Sequence, residues 1–218
     1  MQIAMPVYPG ITTLDLIGPY QVLGNLPDME VVLVASEPGI VADDIGVIRL
    51  EVSHGPDDVP SPDGVVVPGG LGTRKLVRDG DPLIAWLAAV HPTTTFTASV
   101  CTGALLLGAA GILEGLEATT HWSAYDSLAS FGATPTAQRV VRQGKIWTAA
   151  GVSAGIDLAL HLVADIHDDD VARAVQLGIE YDPQPPFDAG APDKVDPELL
   201  AFVKAISAAR EEAALAER

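Results

Sequence analysis

The sequence is short of cysteine. Cys101 is the one cysteine among 218 residues, so a disulfide within the chain is excluded. A lone thiol is typical of a reducing compartment. The first ten residues, MQIAMPVYPG, lack the basic and apolar regions of a signal peptide. We therefore expect a cytoplasmic protein.

Positive charge and long apolar runs are also scarce. Twelve Lys and Arg residues stand against 29 Asp and Glu residues, which gives a formal net charge of −17. This charge repels phosphate backbones and acidic lipid surfaces. No apolar run approaches the roughly 18 residues that a membrane-spanning helix needs. We expect neither nucleic acid nor a membrane as a partner.

The remaining composition favours a folded core, because 48% of the residues are hydrophobic. Short β-branched runs alternate with longer segments of helical pattern. We predict strands at 2–8, 30–35, 46–52, 64–68 and 93–100, and a hairpin at 140–142 and 145–149. We predict helices at 14–26, 81–91, 102–110, 123–131, 153–166, 169–180 and 197–217. Such alternation predicts one α/β domain over 1–218, with a mostly parallel, doubly wound sheet and helices on both faces.

Cys101 lies where a predicted strand gives way to a helix, in TASVCTGALLLGAAG. Ligands of open parallel sheets bind beyond the carboxyl ends of the strands. Ser99 and Gly103, two positions to either side, are small enough for a sharp turn that exposes a nucleophile. The amide groups of the following helix would favour a thiolate. A buried, inert cysteine remains the alternative interpretation.

Histidines offer no obvious base or metal site. None of the five has the spacing of a zinc motif, so we expect no metal. His161, within an apolar helix, is predicted to be a core residue, and His91 to end a helix. His121, in TTHW, is the one histidine in a turn-like segment that could face the edge of the sheet.

Asp15 is the candidate acid. It follows the first strand, at the same edge of a parallel sheet as Cys101, and its neighbours Leu14 and Leu16 are apolar. Partial desolvation would raise its pKa and suit a general acid. Helix capping is the alternative role. Two further turns belong to this edge: PGGLG at 68–72, whose glycines allow close approach, and AGVSAG at 150–155.

Together these motifs resemble the ThiJ/PfpI superfamily. The set comprises PGG at 68–70, SVCTGALLLGAAGIL at 99–113, TTHW at 119–122 and AGVSAGIDLAL at 150–160. Three features are similar to its isocyanide hydratase branch: LDLIGP with Asp15, the Cys-Thr-Gly elbow, and LGIEYDPQPPFDAGAP at 177–192. Many superfamily members carry a Glu near the first strand and a His after the cysteine. Here Asp15 and Thr102 stand instead, which argues against peptidase or glyoxalase chemistry.

The resemblance implies a flavodoxin-like homodimer that acts without a metal or organic cofactor. It implies hydration of an isocyanide to an N-substituted formamide through a cysteine thioimidate. Cys101 would be the nucleophile and Asp15 the acid and base, while Thr102, Gly70 and Val152 would orient thiol, water or substrate. The alternatives are an α-oxoaldehyde hydratase or deglycase on the same scaffold, or a non-enzymatic thiol sensor.

Overall fold

The computed structural model describes residues 1–216, and its strands are short. In chain order they are β1 (Gln2–Pro6), β2 (Glu30–Val34), β3 (Gly39–Ala42), β4 (Arg49–Val52), β5 (Gly64–Val67), β6 (Phe96–Val100), β7 (Glu117–Ala118), β8 (Thr134–Pro135), β9 (Val140–Gln143) and β10 (Ile146–Ala149). All the strands and the hairpin predicted from the sequence are present, each within a few residues of its expected bounds.

Six of these strands form the central sheet, in the order β2–β1–β5–β6–β10–β9. The first five run parallel, and β9 pairs antiparallel with β10 at the edge. This mostly parallel sheet confirms the predicted α/β, flavodoxin-like class. The strand order reverses between β1 and β5, and ligands of such sheets bind at this switch point, beyond the strand ends.

Helices cover the sheet. They are α1 (Thr13–Leu23), α2 (Thr73–Asp79), α3 (Pro82–Val90), α4 (Gly103–Ala109), α5 (Tyr125–Ala129), α6 (Ala154–Ile166), α7 (Asp169–Gly178) and α8 (Pro197–Ala216). α1 and α7 both pack on α6, whereas α2, α3 and α5 pack on α4. The predicted final helix reached Glu217, which lies outside the described residues.

The core lies between these layers. β5 and β6 are buried along their whole length, and α4 buries its consecutive leucines Leu105, Leu106 and Leu107. Each such side chain contributes roughly 1.5–3 kcal/mol through removal from water. The strands and α4 that carry the thiol are therefore the most firmly held part of the molecule.

Some elements were not predicted. The polar segment of α2 contains Arg74, Lys75 and Arg78 and shows no apolar periodicity. β3 pairs antiparallel with β4 as a hairpin outside the central sheet, and β7 and β8 have only two residues each. The prediction of a core position for His161 is wrong. α6 buries Leu158 and Leu162, while His161 is on the exposed side and stacks on Trp147 at 6.4 Å between ring centroids.

No helix within residues 1–216 combines the length and apolar character needed to cross a bilayer.

Candidate active site

Cys101 occupies the turn between β6 and α4. Its φ of 55° lies in the left-handed region that residues other than glycine rarely adopt. Its N–H donates to the carbonyls of Ala149 at 3.1 Å and Ala150 at 3.0 Å. Its own carbonyl accepts a hydrogen bond from Thr120 Oγ1 at 2.8 Å. These contacts hold a conformation that costs about 1–3 kcal/mol, and such strain is concentrated at functional sites.

A small residue two positions after the thiol is required by packing. A Cβ on Gly103 would lie 2.1 Å from the carbonyl oxygen of Val67 and 2.8 Å from that of Pro68. Both are backbone atoms at the end of β5, which cannot move aside without distorting the sheet. Gly103 therefore allows α4 to start directly against β5.

Substitution of Gly103 by alanine is expected to destabilise the protein by about 3 kcal/mol, because overpacking a rigid site costs roughly this much. Urea unfolding followed by circular dichroism measures the effect. Gly178→Ala is the matched control, because nothing lies within 4 Å of its added Cβ. A Gly103→Ala variant as stable as the control would contradict the packing argument.

Asp15 reaches the same point from the first turn of α1, where it is fully buried. Its Oδ2 accepts a hydrogen bond from the N–H of Gly69 at 3.0 Å, and the carboxyl is close enough to the Cys101 thiol for each group to shift the pKa of the other. Among the described residues, the buried Oδ1 has no hydrogen-bond partner. The helix-capping alternative is wrong, because Thr12 holds the N-cap position and the Asp15 carboxyl binds the end of β5 instead.

The Asp15 carboxyl and the Cys101 thiol shift each other's pKa. Burial raises the pKa of Asp15 to about 7, although its hydrogen bonds to Cys101 and Gly69 oppose the shift. Burial and then the charge of Asp15 raise the pKa of the Cys101 thiol, while N–H groups of Val152 and Thr102 act in the opposite direction. We expected the helix amides to favour a thiolate. The backbone does act in that sense, but burial and the charge of Asp15 outweigh it, so the pKa of the thiol is raised rather than lowered.

Thr102 is tied to the glycine turn after β5. The Gly70 N–H donates to Thr102 Oγ1 at 2.9 Å, and that hydroxyl lies 3.1 Å from the Gly70 carbonyl oxygen. A Cβ on Gly69 would lie 2.6 Å from the Thr102 nitrogen and 2.8 Å from Asp15 Oδ2. Gly69 and Gly70 thus allow the start of α1, which carries Asp15, and the turn that carries Cys101 to approach each other. The Gly70 N–H already donates to Thr102.

Val152 approaches the thiol from the loop after β10. Its φ of 34° is again in the left-handed region, and its backbone N–H lowers the pKa of the Cys101 thiol. The structure therefore brings together all five residues selected from the sequence: Cys101, Asp15, Thr102, Gly70 and Val152.

A cavity of about 340 Å³ opens above the thiol. Its base contains Cys101 and Thr102, and its lining also includes Thr12, Asp44, Gly70, Leu71, Arg74, His121, Ser123, Val152, Val203, Ile206, Ser207, Arg210 and Glu211. A larger cleft of about 630 Å³ between β9, α6 and α7 does not reach Cys101. We assign the site to the smaller cavity because it contains the thiol.

His121 does face this edge of the sheet, as its turn-like segment suggested. Its Nδ1 lies 2.7 Å from Ser123 Oγ. Burial and the nearby positive charge of Arg74 lower the pKa of His121.

Several cavity residues were missed by the sequence analysis. Thr12 donates to Asp44 at 2.8 Å, which joins the β3–β4 hairpin to the start of α1. Val203, Ile206 and Arg210 come from α8, a segment with no recognisable motif. Their spacing of three and four residues was the signal that could have identified a shared helix face.

The part of the chain covered by the structure contains no group of three or more His, Cys, Asp or Glu side chains placed to hold a metal ion.

Comparison with known proteins gives the family. A sequence profile of the DJ-1/PfpI family matches residues 1–165. The chain belongs to the DJ-1/PfpI family. Within it, the chain is 42% identical over 193 residues to the isonitrile hydratase of Pseudomonas putida, covering 88% of this chain and 84% of that protein. This similarity places it in the isocyanide hydratase branch of the DJ-1/PfpI family.

Solved structures of the DJ-1/PfpI family share the fold. A ThiJ/PfpI family protein from Pseudomonas syringae is 38% identical with a TM-score of 0.91, covering 99% of this chain and 89% of that one. Oxidised DJ-1 from Toxoplasma gondii has a TM-score of 0.73 at 22% identity, covering 84% of this chain and 99% of that one. The second likeness concerns the fold alone.

Proposed function

We propose that the protein is an isocyanide hydratase, a lyase that converts an organic isocyanide and water to an N-substituted formamide. The observation that carries the proposal is that the Asp15 carboxyl and the Cys101 thiol are both buried and close enough for each to shift the pKa of the other. The terminal carbon of an isocyanide is a weak electrophile that becomes basic once a nucleophile attacks it. A thiol with an acid beside it meets both needs.

The first half of the reaction joins sulfur to carbon. The active pair carries one proton, shared between Cys101 and Asp15. The sulfur attacks the terminal carbon of R–N≡C while its proton passes through Asp15 to that carbon. One S–H bond breaks, and one C–S and one C–H bond form, which gives the thioimidate Cys–S–CH=N–R.

The second half uses water. The Asp15 carboxylate takes a proton from water while the water oxygen adds to the thioimidate carbon. Asp15 then passes this proton to the nitrogen. Collapse of the resulting S–CH(OH)–NH–R breaks the C–S bond, and the hydroxyl proton returns to the sulfur–carboxyl pair. The formamide HC(=O)–NH–R leaves, and no oxidant or cofactor is consumed.

Three further residues position these groups. The backbone N–H groups of Thr102 and Val152 lower the pKa of the Cys101 thiol, so they would stabilise negative charge on the sulfur during attack and departure. Gly70 acts through its bonds to the Thr102 hydroxyl. We therefore assign Gly70 to the orientation of Thr102 rather than to direct contact with substrate.

The direct test is incubation with an aryl isocyanide, with formation of the formamide followed by absorbance. We expect turnover by the wild-type protein. An enzyme that consumes methylglyoxal but no isocyanide would instead be an α-oxoaldehyde hydratase or deglycase. A protein without any turnover, whose thiol is oxidised by mild peroxide in mass spectrometry, would instead be a sensor.

The pH dependence follows from the raised pKa of Asp15, about 7. Below this pH both acid and thiol are protonated, so no base accepts the thiol proton. We expect kcat/KM to rise about tenfold per pH unit below pH 7 and to level off above it. Isocyanides do not titrate in this range, so the profile reports the enzyme. A flat profile from pH 5 to 9 would contradict the assignment of Asp15.

We also propose that the protein works in the cytoplasm as a homodimer. Exposed apolar side chains support an interface: Ile45 and Val47 in the β3–β4 hairpin are 72% and 77% exposed, and Leu14 and Tyr20 on α1 are 43% and 45% exposed. Thr13 Oγ1 donates to Asp43 at 3.0 Å, which ties hairpin and helix together. Light scattering after size-exclusion chromatography would show twice the chain mass.

A further inference from the structure

One face of α8 lines the thiol cavity. Four residues lie on the same side of the helix: Val203, Ile206, Ser207 and Arg210. Val203 and Arg210 are each three or four residues away from the adjacent pair Ile206 and Ser207. All four border the space above Cys101. The helix therefore forms one wall of the cavity that contains the thiol.

Polar contacts hold this wall in place. Arg74 of α2 pairs with Glu211 at 2.9 Å, and Arg78 Nη1 donates to the carbonyl oxygen of Leu215 at 3.0 Å. No residue of α8 is buried in the described chain. The contacts of α8 with α2 are thus polar ones at its charged end, and no described residue of α8 is fully buried.

The side chains of α8 that face the cavity are apolar at Val203 and Ile206. Val203 is 38% and Ile206 46% exposed, and both border a space that Leu71 and Val152 also line. The pairing of Arg74 with Glu211 neutralises charge at the rim. The apolar surface of Leu71, Val152, Val203 and Ile206 stabilises an uncharged hydrocarbon group, while the charged side chains Asp44 and Arg210 also belong to the lining.

We propose that α8 is the specificity wall of this enzyme, and that Val203 and Ile206 select isocyanides with a compact branched or cyclic hydrocarbon substituent. The proposal rests on the proposed function. The terminal carbon must reach Cys101 at the base, so the substituent R extends towards α8. The cavity of about 340 Å³ is near the lower end of the ligand-site range of roughly 300–1,000 Å³, which favours a compact R group.

The test is to compare cyclohexyl isocyanide with methyl isocyanide. Ile206→Trp fills the space that the ring would occupy, so the ratio of the two kcat/KM values, cyclohexyl over methyl, is expected to fall about tenfold or more. Ile206→Ala removes apolar contacts to the ring, and the ratio is expected to fall about fivefold. Phe202→Trp is the matched control, because Phe202 is on the same helix, 62% exposed, and outside the cavity lining. The control ratio is expected to stay within twofold.

A second measurement does not depend on hydration. Alkylation of Cys101 by iodoacetamide is compared with alkylation by its N-cyclohexyl analogue at pH 8.5. Ile206→Trp is expected to slow the analogue at least fivefold relative to iodoacetamide, and Phe202→Trp to leave this ratio unchanged.

The two failures are distinguishable. Hydration by the wild type with identical ratios in Ile206→Trp and Phe202→Trp would overturn the role of α8 and leave the proposed function intact. No hydration of either isocyanide would refute the proposed function. The alkylation ratio would then still decide whether α8 faces the thiol, and an unchanged ratio would overturn that placement as well.

Discussion

Replacement of Cys101 by alanine is expected to reduce isocyanide hydration to the uncatalysed rate, a loss of about 10⁴-fold or more. The reason is that the first bond of the proposed reaction is made by sulfur. Cys101→Ser is expected to be nearly as inactive, because a serine hydroxyl is a much weaker nucleophile beside the same carboxyl. Absorbance of the formamide measures both variants.

The variants are also expected to fold. Alanine keeps the Cβ and the backbone bonds of the turn, so only the burial of one sulfur atom is lost. Circular dichroism and the urea midpoint check this, and turnover is compared only between folded proteins. Equal turnover by wild type and Cys101→Ala would refute the nucleophile assignment.

Asp15→Asn is expected to lose activity, about 10²–10⁴-fold in kcat, and at the same time to gain stability at pH 8. Asparagine keeps the shape of aspartate and can still accept the hydrogen bond from Gly69. It cannot accept the thiol proton or deliver a proton to carbon. The variant therefore separates the catalytic need for this carboxyl from its effect on folding.

The gain in stability of Asp15→Asn is expected at high pH, because the buried carboxylate of the wild type destabilises the fold as the pH rises. The folded pKa of Asp15, about 7, lies above its ordinary value of 3.8. Below pH 3.8 the carboxyl is protonated in both states and contributes no difference. Between pH 3.8 and 7 the unfolded chain ionises first, so the free energy of unfolding falls as the pH rises, and the full penalty persists above pH 7.

This penalty is about 4 kcal/mol, at 1.36 kcal/mol for each of about three pKa units. An asparagine N–H left without an acceptor would cost about 1–3 kcal/mol. We therefore expect Asp15→Asn to gain about 1–3 kcal/mol at pH 8 and to lose stability at pH 4. Urea titrations at the two pH values measure the difference. A variant less stable than wild type at both would contradict the cost of burying this charge, and unchanged kcat would remove its catalytic assignment.

Much of this site follows from local patterns in the sequence. The alternation of strands and helices predicts the parallel sheet, and a parallel sheet brings the ends of β1, β5, β6 and β10 to one edge. Asp15, Cys101 and the glycine turn each follow one of these strands, so their proximity follows from topology. Gly103 adds the requirement for a small residue at the elbow.

Other features depend on contacts that no local pattern contains. α8 is distant in sequence from the thiol, and it reaches the cavity through an ion pair with α2, a helix that was itself missed. Burial and the charge of Asp15 raise the pKa of Cys101 against the effect of the backbone amides, and composition and spacing do not reveal this balance. His161 was misplaced because an apolar helix with one buried face resembles a fully buried one in sequence.

Gly69 is a position beside the reacting groups that cannot carry a side chain. Any side chain there would meet the Thr102 backbone at 2.6 Å and the Asp15 carboxyl at 2.8 Å, so the reacting centre is closed to variation. α8 has no buried residue, and substitutions at such positions usually change stability by less than about 0.5 kcal/mol. A library of variants intended to accept new isocyanides should therefore randomise the cavity face of α8 and leave the strand ends as they are.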